Sequence, residues 1–118
     1  MEKCILICDD DEGILDVTSM VLESNGYRVI PIINSLKVLD TVRRENPDLI
    51  ILDLWMPGIN GEQLVEALKG NAETRDMPII IISASRDGSA IAKQSGANDF
   101  LEKPFDIDML TERVKMYV

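Results

Sequence analysis

The sequence predicts an α/β fold, with a five-stranded parallel sheet and helices on both of its faces. Short apolar runs alternate five times with stretches whose apolar residues recur at helical spacing, which is typical of successive βα units. One of these runs, residues 79–82, is wholly apolar and β-branched, which indicates a strand covered on both faces. Parallel strands joined by helices are connected by right-handed crossovers.

Composition limits the classes of function. The chain has 118 residues, 46% of them hydrophobic, which fits one domain over residues 1–118 with a core of its own. The formal net charge of −9 argues against direct binding to nucleic acid, which requires a basic patch. No apolar run approaches the ~20 residues of a membrane span, and the first residues do not read as a signal peptide. The chain has no histidine, which excludes histidine metal sites and histidine-based triads.

The first strand is predicted over residues 4–8 and is followed by three aspartates, at positions 9–11. The last of these opens a helix, where an acid interacts favourably with the helix dipole, and Gly26 closes that helix. Cys4 and Cys8 lie on one face of the strand, about 13 Å apart at ~3.3 Å per residue, which is too far for a disulfide. We therefore expect two free core cysteines in a reducing, cytoplasmic location.

Local signals mark the remaining elements. Pro31 within the second strand indicates the edge of a sheet, and Asn34 supplies an N-cap for the second helix. The segment 85–95 holds Gly88 and several serines, so it predicts a weak and mobile helix. The other predicted strands cover residues 27–33, 49–52, 79–82 and 98–102, and the other helices cover residues 36–46 and 105–117, with one more ending near residue 70.

Asp53 interrupts the apolar run 50–54, which is followed by the turn signal Pro57-Gly58. The residue is therefore predicted at the carboxyl end of a buried strand, the edge where open parallel sheets bind ligands. A buried, unpaired carboxylate costs several kcal/mol, so Asp53 needs a partner or a use. An N-cap or turn aspartate is the alternative interpretation.

Polar residues follow four of the five strands. They are Asp9 and Asp10 after the first, Asp53 after the third, Ser83 after the fourth and Lys103 after the fifth. Adjacent parallel strands bring them to one rim, where each close carboxylate pair costs on the order of 4 kcal/mol at ~4 Å and an effective dielectric of ~20. A hard divalent cation such as Mg²⁺ is the natural counterion, because it prefers oxygen ligands.

These groups are the parts of a phosphoryl-transfer site. Asp53 is the candidate nucleophile that takes the phosphoryl group as an acyl phosphate, and the metal and Lys103 balance charge on the transferring oxygens. Taken singly, each residue has a plainer interpretation. Asp9 and Asp10 then serve as N-caps, Ser83 is a loop serine and Lys103 a solvated surface lysine.

Four segments together resemble the receiver domain of bacterial response regulators, of the kind found in chemotaxis regulators. They are residues 5–11 (ILICDDD), 53–61 (DLWMPGING), 82–84 (ISA) and 100–105 (FLEKPF). The resemblance covers the whole chain. It implies the flavodoxin-like, doubly wound (βα)5 fold with strand order 2-1-3-4-5.

The resemblance implies a metal site and an acceptor. Asp53 is the expected phosphoacceptor. Mg²⁺, or Mn²⁺ in its place, is expected to be bound by Asp10 directly, by Asp9 directly or through water, and by Asp53. The backbone carbonyl of Trp55 completes the protein's share of the ligands.

The resemblance also implies a switch. Ser83 is the expected switch hydroxyl and Lys103 the phosphate-binding lysine, with a cis Lys103-Pro104 bond. Phe100 stands where the family carries an aromatic residue that turns inward on phosphorylation. A static place in the core is the alternative for Phe100.

The implied function is a phosphorylation-dependent switch of a two-component or phosphorelay system that catalyses only its own phosphorylation and slow dephosphorylation. Its implied partner is a sensor histidine kinase or a histidine phosphotransfer protein, and its readout surface is the fourth helix, fifth strand and fifth helix. A phosphorylation-dependent homodimer is a further option.

Ile14 and Leu15 are candidates for kinase docking, with core packing as the competing interpretation. No output domain fits within residues 1–118.

Two other classes stay open at the level of sequence. Haloacid-dehalogenase-like hydrolases also use an aspartyl nucleophile, but they carry a second acid two residues later, where this chain has Trp55, and they carry a cap domain. The second class is a degenerate receiver that is not phosphorylated and serves as a binding or dimerisation module. The intact acids, Ser83 and Lys103 argue against it.

Overall fold

The computed structural model describes residues 2–118, and a five-stranded sheet forms its centre. The strands are β1 (Cys4–Cys8), β2 (Arg28–Ile32), β3 (Leu49–Asp53), β4 (Ile79–Ser83) and β5 (Asp99–Glu102). All neighbouring strands pair in parallel, in the order β2-β1-β3-β4-β5. This order confirms the predicted doubly wound fold, and it places β2, which contains Pro31, at one edge of the sheet.

Five α-helices alternate with the strands. They are α1 (Glu12–Ser24), α2 (Val38–Glu45), α3 (Gly61–Lys69), α4 (Gly88–Ser95) and α5 (Ile107–Tyr117). A 3-10 turn, Ser35–Lys37, precedes α2, and Asn34 caps this turn rather than the α-helix by accepting the N–H of Leu36. Within residues 2–118, no helix has both the length and the apolar character needed to cross a membrane.

Each face of the sheet has its own hydrophobic core. Helices α2, α3 and α4 cover the face that carries Leu6, and helices α1 and α5 cover the face that carries Ile5. Successive strand residues point to opposite faces and both faces are covered, which is why the central strands are continuous apolar runs. Cys4 and Cys8 are buried and free, as predicted.

Besides α2, whose first predicted turn is the 3-10 turn, two helices begin later than predicted. Helix α4 starts at Gly88, three residues late, because serine hydroxyls take the backbone N–H groups ahead of it. The Oγ of Ser83 accepts from the N–H of Ser85, and the Oγ of Ser85 accepts from the N–H of Asp87. Helix α5 starts at Ile107, two residues late.

The strand register brings the carboxyl ends of the strands to one rim. Cys8 of β1 pairs with Leu52 of β3, and Asp53 of β3 pairs with Ile82 of β4. Residues at or just after these ends therefore lie side by side. The register accounts for the convergence of polar residues that are far apart in the chain.

Candidate functional site

Three aspartates converge at the rim of the sheet. One carboxylate oxygen from each of Asp9, Asp10 and Asp53 lies within 4.8 Å of the other two. Asp9 is fully buried directly after β1, and Asp53 is buried at the end of β3, whereas Asp10 is exposed. The structure thus separates two adjacent aspartates that look alike in sequence into one interior and one solvent-facing carboxylate.

Asp11 is the helix-start acid that the sequence predicts. Its Oδ1 accepts the N–H of Gly13 at 2.9 Å and that of Ile14 at 3.2 Å, which caps α1. The N–H of Asp11 in turn donates to Oδ1 of Asp9 at 3.0 Å. The beginning of α1 therefore helps to fix the buried carboxylate of Asp9.

Lys103 is the counterion of the two buried aspartates. Its Nζ donates to Oδ2 of Asp9 at 2.9 Å and to Oδ2 of Asp53 at 3.3 Å. Burial by itself lowers the pKa of Lys103, but the hydrogen bond to Asp9 and the charges of both aspartates outweigh this effect, so the pKa lies above its usual value. Lys103 is therefore a permanent positive charge at the rim.

The rim still carries excess negative charge, because three carboxylates face one ammonium group. Burial, followed by the charge of Asp9, raises the pKa of Asp53 to about 6, and Lys103 only partly opposes this. Converging carboxylate oxygens with uncompensated charge suit a hard divalent cation such as Mg²⁺. The donor set therefore fits the metal that the sequence predicts.

In metal-free protein, we expect the contribution of Asp53 to the free energy of unfolding to fall as pH rises from about 4 to about 6. Its folded-state pKa of about 6 lies above the ordinary 3.8, so the folded state binds this proton more tightly. The stabilisation is complete below the unfolded pKa and is lost as pH rises through the folded pKa. Discounted for solvent screening, the change is about 2 kcal/mol.

Urea titrations in EDTA measure this change as the pH-dependent difference between wild type and Asp53→Asn. Asp16→Asn, at an exposed position of α1, is the matched control and should follow the wild-type curve. Parallel pH profiles for wild type and Asp53→Asn would contradict the prediction.

The segment after Asp53, residues 54–60, is here called the acceptor loop. The N–H of Leu54 donates to the carbonyl of Ile82 in β4 at 2.9 Å. The N–H of Gly61 closes the loop by donating to the carbonyl of Leu54 at 2.8 Å. A Cβ at position 61 would lie 2.6 Å from the backbone oxygen of Asp53, so only glycine fits there. Trp55 lies in this loop and is 53% exposed.

Ser83 and Phe100 both lie against Gly88, the first residue of α4. Ser83 is fully buried, and Phe100 is half-buried against the core under α4. A Cβ at Gly88 would lie 2.8 Å from Cε1 of Phe100 and 3.0 Å from Cβ of Ser83. The absence of a side chain at Gly88 therefore leaves the space that the ring of Phe100 occupies.

An apolar groove of about 660 Å³ lies beside the acidic rim, between α1 and the segment that precedes α5. Its apolar lining includes Ile14, Val17, Phe105 and Ile107. Of the two residues considered for docking, only Ile14 lines this groove. Leu15 is buried between α1 and the sheet, because it lies on the face of the helix that also carries the buried Leu22.

Ser35 is a further residue beside the site. In the sequence it is only part of a helix start, yet its buried hydroxyl donates to the carbonyl of Pro57 in the acceptor loop. No local sequence pattern signals this contact, because the two residues are separated by 22 positions.

Residues 5–115 match the family model described as the response regulator receiver domain. The chain is 35% identical over 118 residues to sporulation initiation phosphotransferase F of Bacillus subtilis, with 100% of this chain and 95% of that protein covered. It is 29% identical over 120 residues to the polar-differentiation response regulator DivK of Brucella anthropi, with 100% and 98% covered. It is 35% identical over 113 residues to the DNA-binding dual master transcriptional regulator RpaA of Synechocystis, of which it spans 47%.

Solved structures show the same likeness. A putative response regulator from Chloroflexus aurantiacus superimposes with a TM-score of 0.95 at 29% identity, covering 99% of this chain and 98% of that one. A response regulator receiver domain protein from Methanospirillum hungatei gives a TM-score of 0.90 at 30% identity, with 98% and 93% covered.

Proposed function

Since the chain belongs to the response regulator receiver domain family of two-component signalling, we propose that it is a switch operated by phosphorylation of Asp53. Members of this family are signalling switches rather than classical enzymes. The observation that carries the proposal is the placement of Asp53, a buried carboxylate at the rim that is hydrogen-bonded to Lys103 and close to two further aspartates.

The proposed reaction takes the phosphoryl group from a phosphohistidine on a partner protein. A carboxylate oxygen of Asp53 forms a bond to phosphorus while the phosphorus–nitrogen bond breaks. The bonding electron pair stays on the ring nitrogen, and the imidazole leaves as the neutral ring, with solvent supplying a proton when the other ring nitrogen carries none. The product is an aspartyl phosphate on Asp53.

Asp9, Asp10, Asp53 and the backbone carbonyl of Trp55 are the groups that would hold Mg²⁺ or Mn²⁺. The cation supplies positive charge that offsets the charge of the transferring oxygens. Lys103 is already paired with Asp9 and Asp53, and in the phosphorylated protein its Nζ would donate to a phosphoryl oxygen instead.

Ser83 connects the acceptor to the rest of the molecule in this proposal. Its Oγ now accepts the N–H of Ser85 at 3.0 Å. When the hydroxyl turns to donate to a phosphoryl oxygen, the segment between β4 and α4 loses that support and α4 shifts its population of positions. Phe100 lies against the first residue of α4, so it responds to the same change.

Gly88→Ala tests this coupling, because the added methyl group occupies the present position of the Phe100 ring. We expect the ring to be displaced and the free energy of unfolding to fall by about 1–2 kcal/mol, since overpacking outweighs the gain in helix propensity. Urea unfolding measures the loss, and the aromatic NMR resonances of Phe100 report the displacement.

Ser89→Ala, one position further along α4 and exposed, is the matched control and should behave as wild type. The double variant Gly88→Ala/Phe100→Leu should recover part of the lost stability, because the smaller side chain relieves the clash. Independent, additive effects of the two substitutions would show that Gly88 and Phe100 are not coupled.

The groove beside the rim supports a partner that presents its phosphohistidine on an apolar helical surface. Ile14, Val17, Phe105 and Ile107 would contact that surface while the acidic rim receives the phosphoryl group. A sensor histidine kinase or a histidine phosphotransfer protein fits this description. The readout surface would be α4, β5 and α5, where a downstream protein or a second phosphorylated copy would bind.

The direct test is the intact mass of the wild-type protein after incubation with Mg²⁺ and acetyl phosphate. We expect one phosphoryl adduct that is absent when EDTA replaces Mg²⁺, and a change of Trp55 fluorescence first with Mg²⁺ and then with the phosphodonor. Absence of any adduct, both from acetyl phosphate and from a phosphohistidine protein, would overturn the proposal in favour of a receiver used only for binding.

A further inference from the structure

The middle of the acceptor loop, residues 55–59, is held by a side-chain oxygen from outside the loop. Ser35 Oγ donates to the carbonyl of Pro57 at 2.8 Å and accepts the N–H of Ile59 at 3.1 Å. Within the part of the chain that the structure describes, these are the hydrogen bonds by which an outside oxygen or nitrogen holds residues 55–59. One hydroxyl therefore fixes the middle of the loop at both a carbonyl and an amide.

Ser35 itself is firmly placed. It is 2% exposed, and the 3-10 turn that it begins is capped by the side chain of Asn34. The loop packs closely on this turn, since a Cβ at Gly58 would lie 3.3 Å from both Ser35 Oγ and Cγ of Leu36. Gly58 has a φ of +85°, a conformation that favours glycine and that lets Ser35 bond to the residues on either side of it.

Through the backbone of the acceptor loop, Ser35 also affects the proposed cation site. Trp55 lies between Asp53, which β3 fixes, and Pro57, which Ser35 fixes. Its backbone carbonyl is the one neutral ligand proposed for the cation, and it has no carboxylate charge of its own to draw it to the metal. The position of this carbonyl therefore depends on the path of the loop.

We propose that Ser35 is a positioning residue for Mg²⁺, which holds the acceptor loop so that the Trp55 carbonyl is in place for the cation. This inference rests on the proposed function. Ser35 does not touch the metal or the phosphoryl group, and its effect passes through the backbone of the loop. Loss of the hydroxyl should lower the Mg²⁺ affinity about tenfold, the low end of the range for groups that orient metal ligands.

The experiment is a Mg²⁺ titration of wild type and Ser35→Ala, followed by Trp55 fluorescence and by calorimetry. Ser35→Gly is a second variant without the hydroxyl, whereas Ser35→Thr keeps a hydroxyl at this position. Asn34→Ala is the matched control, because it removes the cap of the same turn but no contact to the loop. Amide hydrogen exchange of Ile59 in metal-free protein reports the loop without any metal.

We expect the two variants without a hydroxyl to bind Mg²⁺ about tenfold more weakly than wild type. Their Ile59 amide should exchange faster, and Ser35→Thr should recover both properties. Wild-type Mg²⁺ affinity in both variants, or an equal loss in Asn34→Ala, would overturn the role of Ser35. A wild-type protein that binds no Mg²⁺ would instead overturn the proposed function, while the exchange of Ile59 would still measure how Ser35 holds the loop.

Discussion

Asp53→Asn should be unable to take up a phosphoryl group from acetyl phosphate at any Mg²⁺ concentration, and the metal-free variant should be more stable than wild type at neutral pH. The amide does not form an acyl phosphate, so the adduct in the intact mass should disappear completely. The same substitution removes a carboxylate whose charge is disfavoured by burial and by Asp9. The gain in the free energy of unfolding is about 2 kcal/mol, reduced by the weaker hydrogen bond to Lys103.

Loss of phosphorylation together with a gain in stability is a diagnostic pair, because damage to the fold would reduce both the extent of phosphorylation and the stability. Asp16→Asn removes one exposed aspartate of the same kind and should keep the wild-type adduct and stability. Asp10→Asn keeps the nucleophile, so it should need more Mg²⁺ but still become phosphorylated. An undiminished adduct on Asp53→Asn, located by peptide fragmentation, would assign the acceptor to another residue.

Lys103→Ala should lower the free energy of unfolding of the metal-free protein by about 3–5 kcal/mol, the range for removing one partner of a buried ion pair. The loss is large because Lys103 bonds to both buried aspartates, with side chains that are 0% and 9% exposed. Removing the ammonium group leaves three carboxylates within 4.8 Å of one another without a counterion. Urea unfolding in EDTA measures the effect.

Mg²⁺ separates this electrostatic cause from a packing defect. A cation that binds only the folded rim stabilises it, so Mg²⁺ should restore a larger share of stability to Lys103→Ala than to wild type. Lys93→Ala, an exposed lysine on α4, should unfold as wild type does. A destabilisation of Lys103→Ala that is small, or that Mg²⁺ does not reduce, would mean that the charge of Lys103 does not hold the rim together.

Much of the fold could be predicted because it depends on local patterns. Alternating apolar runs and helical periodicity predict the five βα units, and Pro31 correctly indicates an edge strand. Parallel strands bring their carboxyl ends to one side, so Asp9, Asp53 and Lys103 are expected at one rim, and the hydrogen bonds of Lys103 to both aspartates show that they converge there. The roles proposed for these residues remain predictions until the experiments above are done.

Other features depend on contacts between distant segments, and the sequence does not reveal them. Asp9 and Asp10 are neighbours of one type, and only the packing of the sheet decides that the first is buried beside Lys103 while the second faces solvent. Ser35 reaches a loop 22 positions away. The predicted start of α4 is three residues too early because serine hydroxyls accept the backbone N–H groups ahead of the helix, and no pattern of apolar residues signals this.

The arrangement of the sheet also affects how the protein behaves at high concentration. An open sheet has two edges, and each is a template on which a strand of another chain can pair and start aggregation. One edge here is β2, in which Pro31 has no N–H to offer and Arg28 is an exposed charge. The other is β5, only four residues long and bounded by Asp99 and Glu102. Both edges therefore discourage the addition of a strand from another molecule.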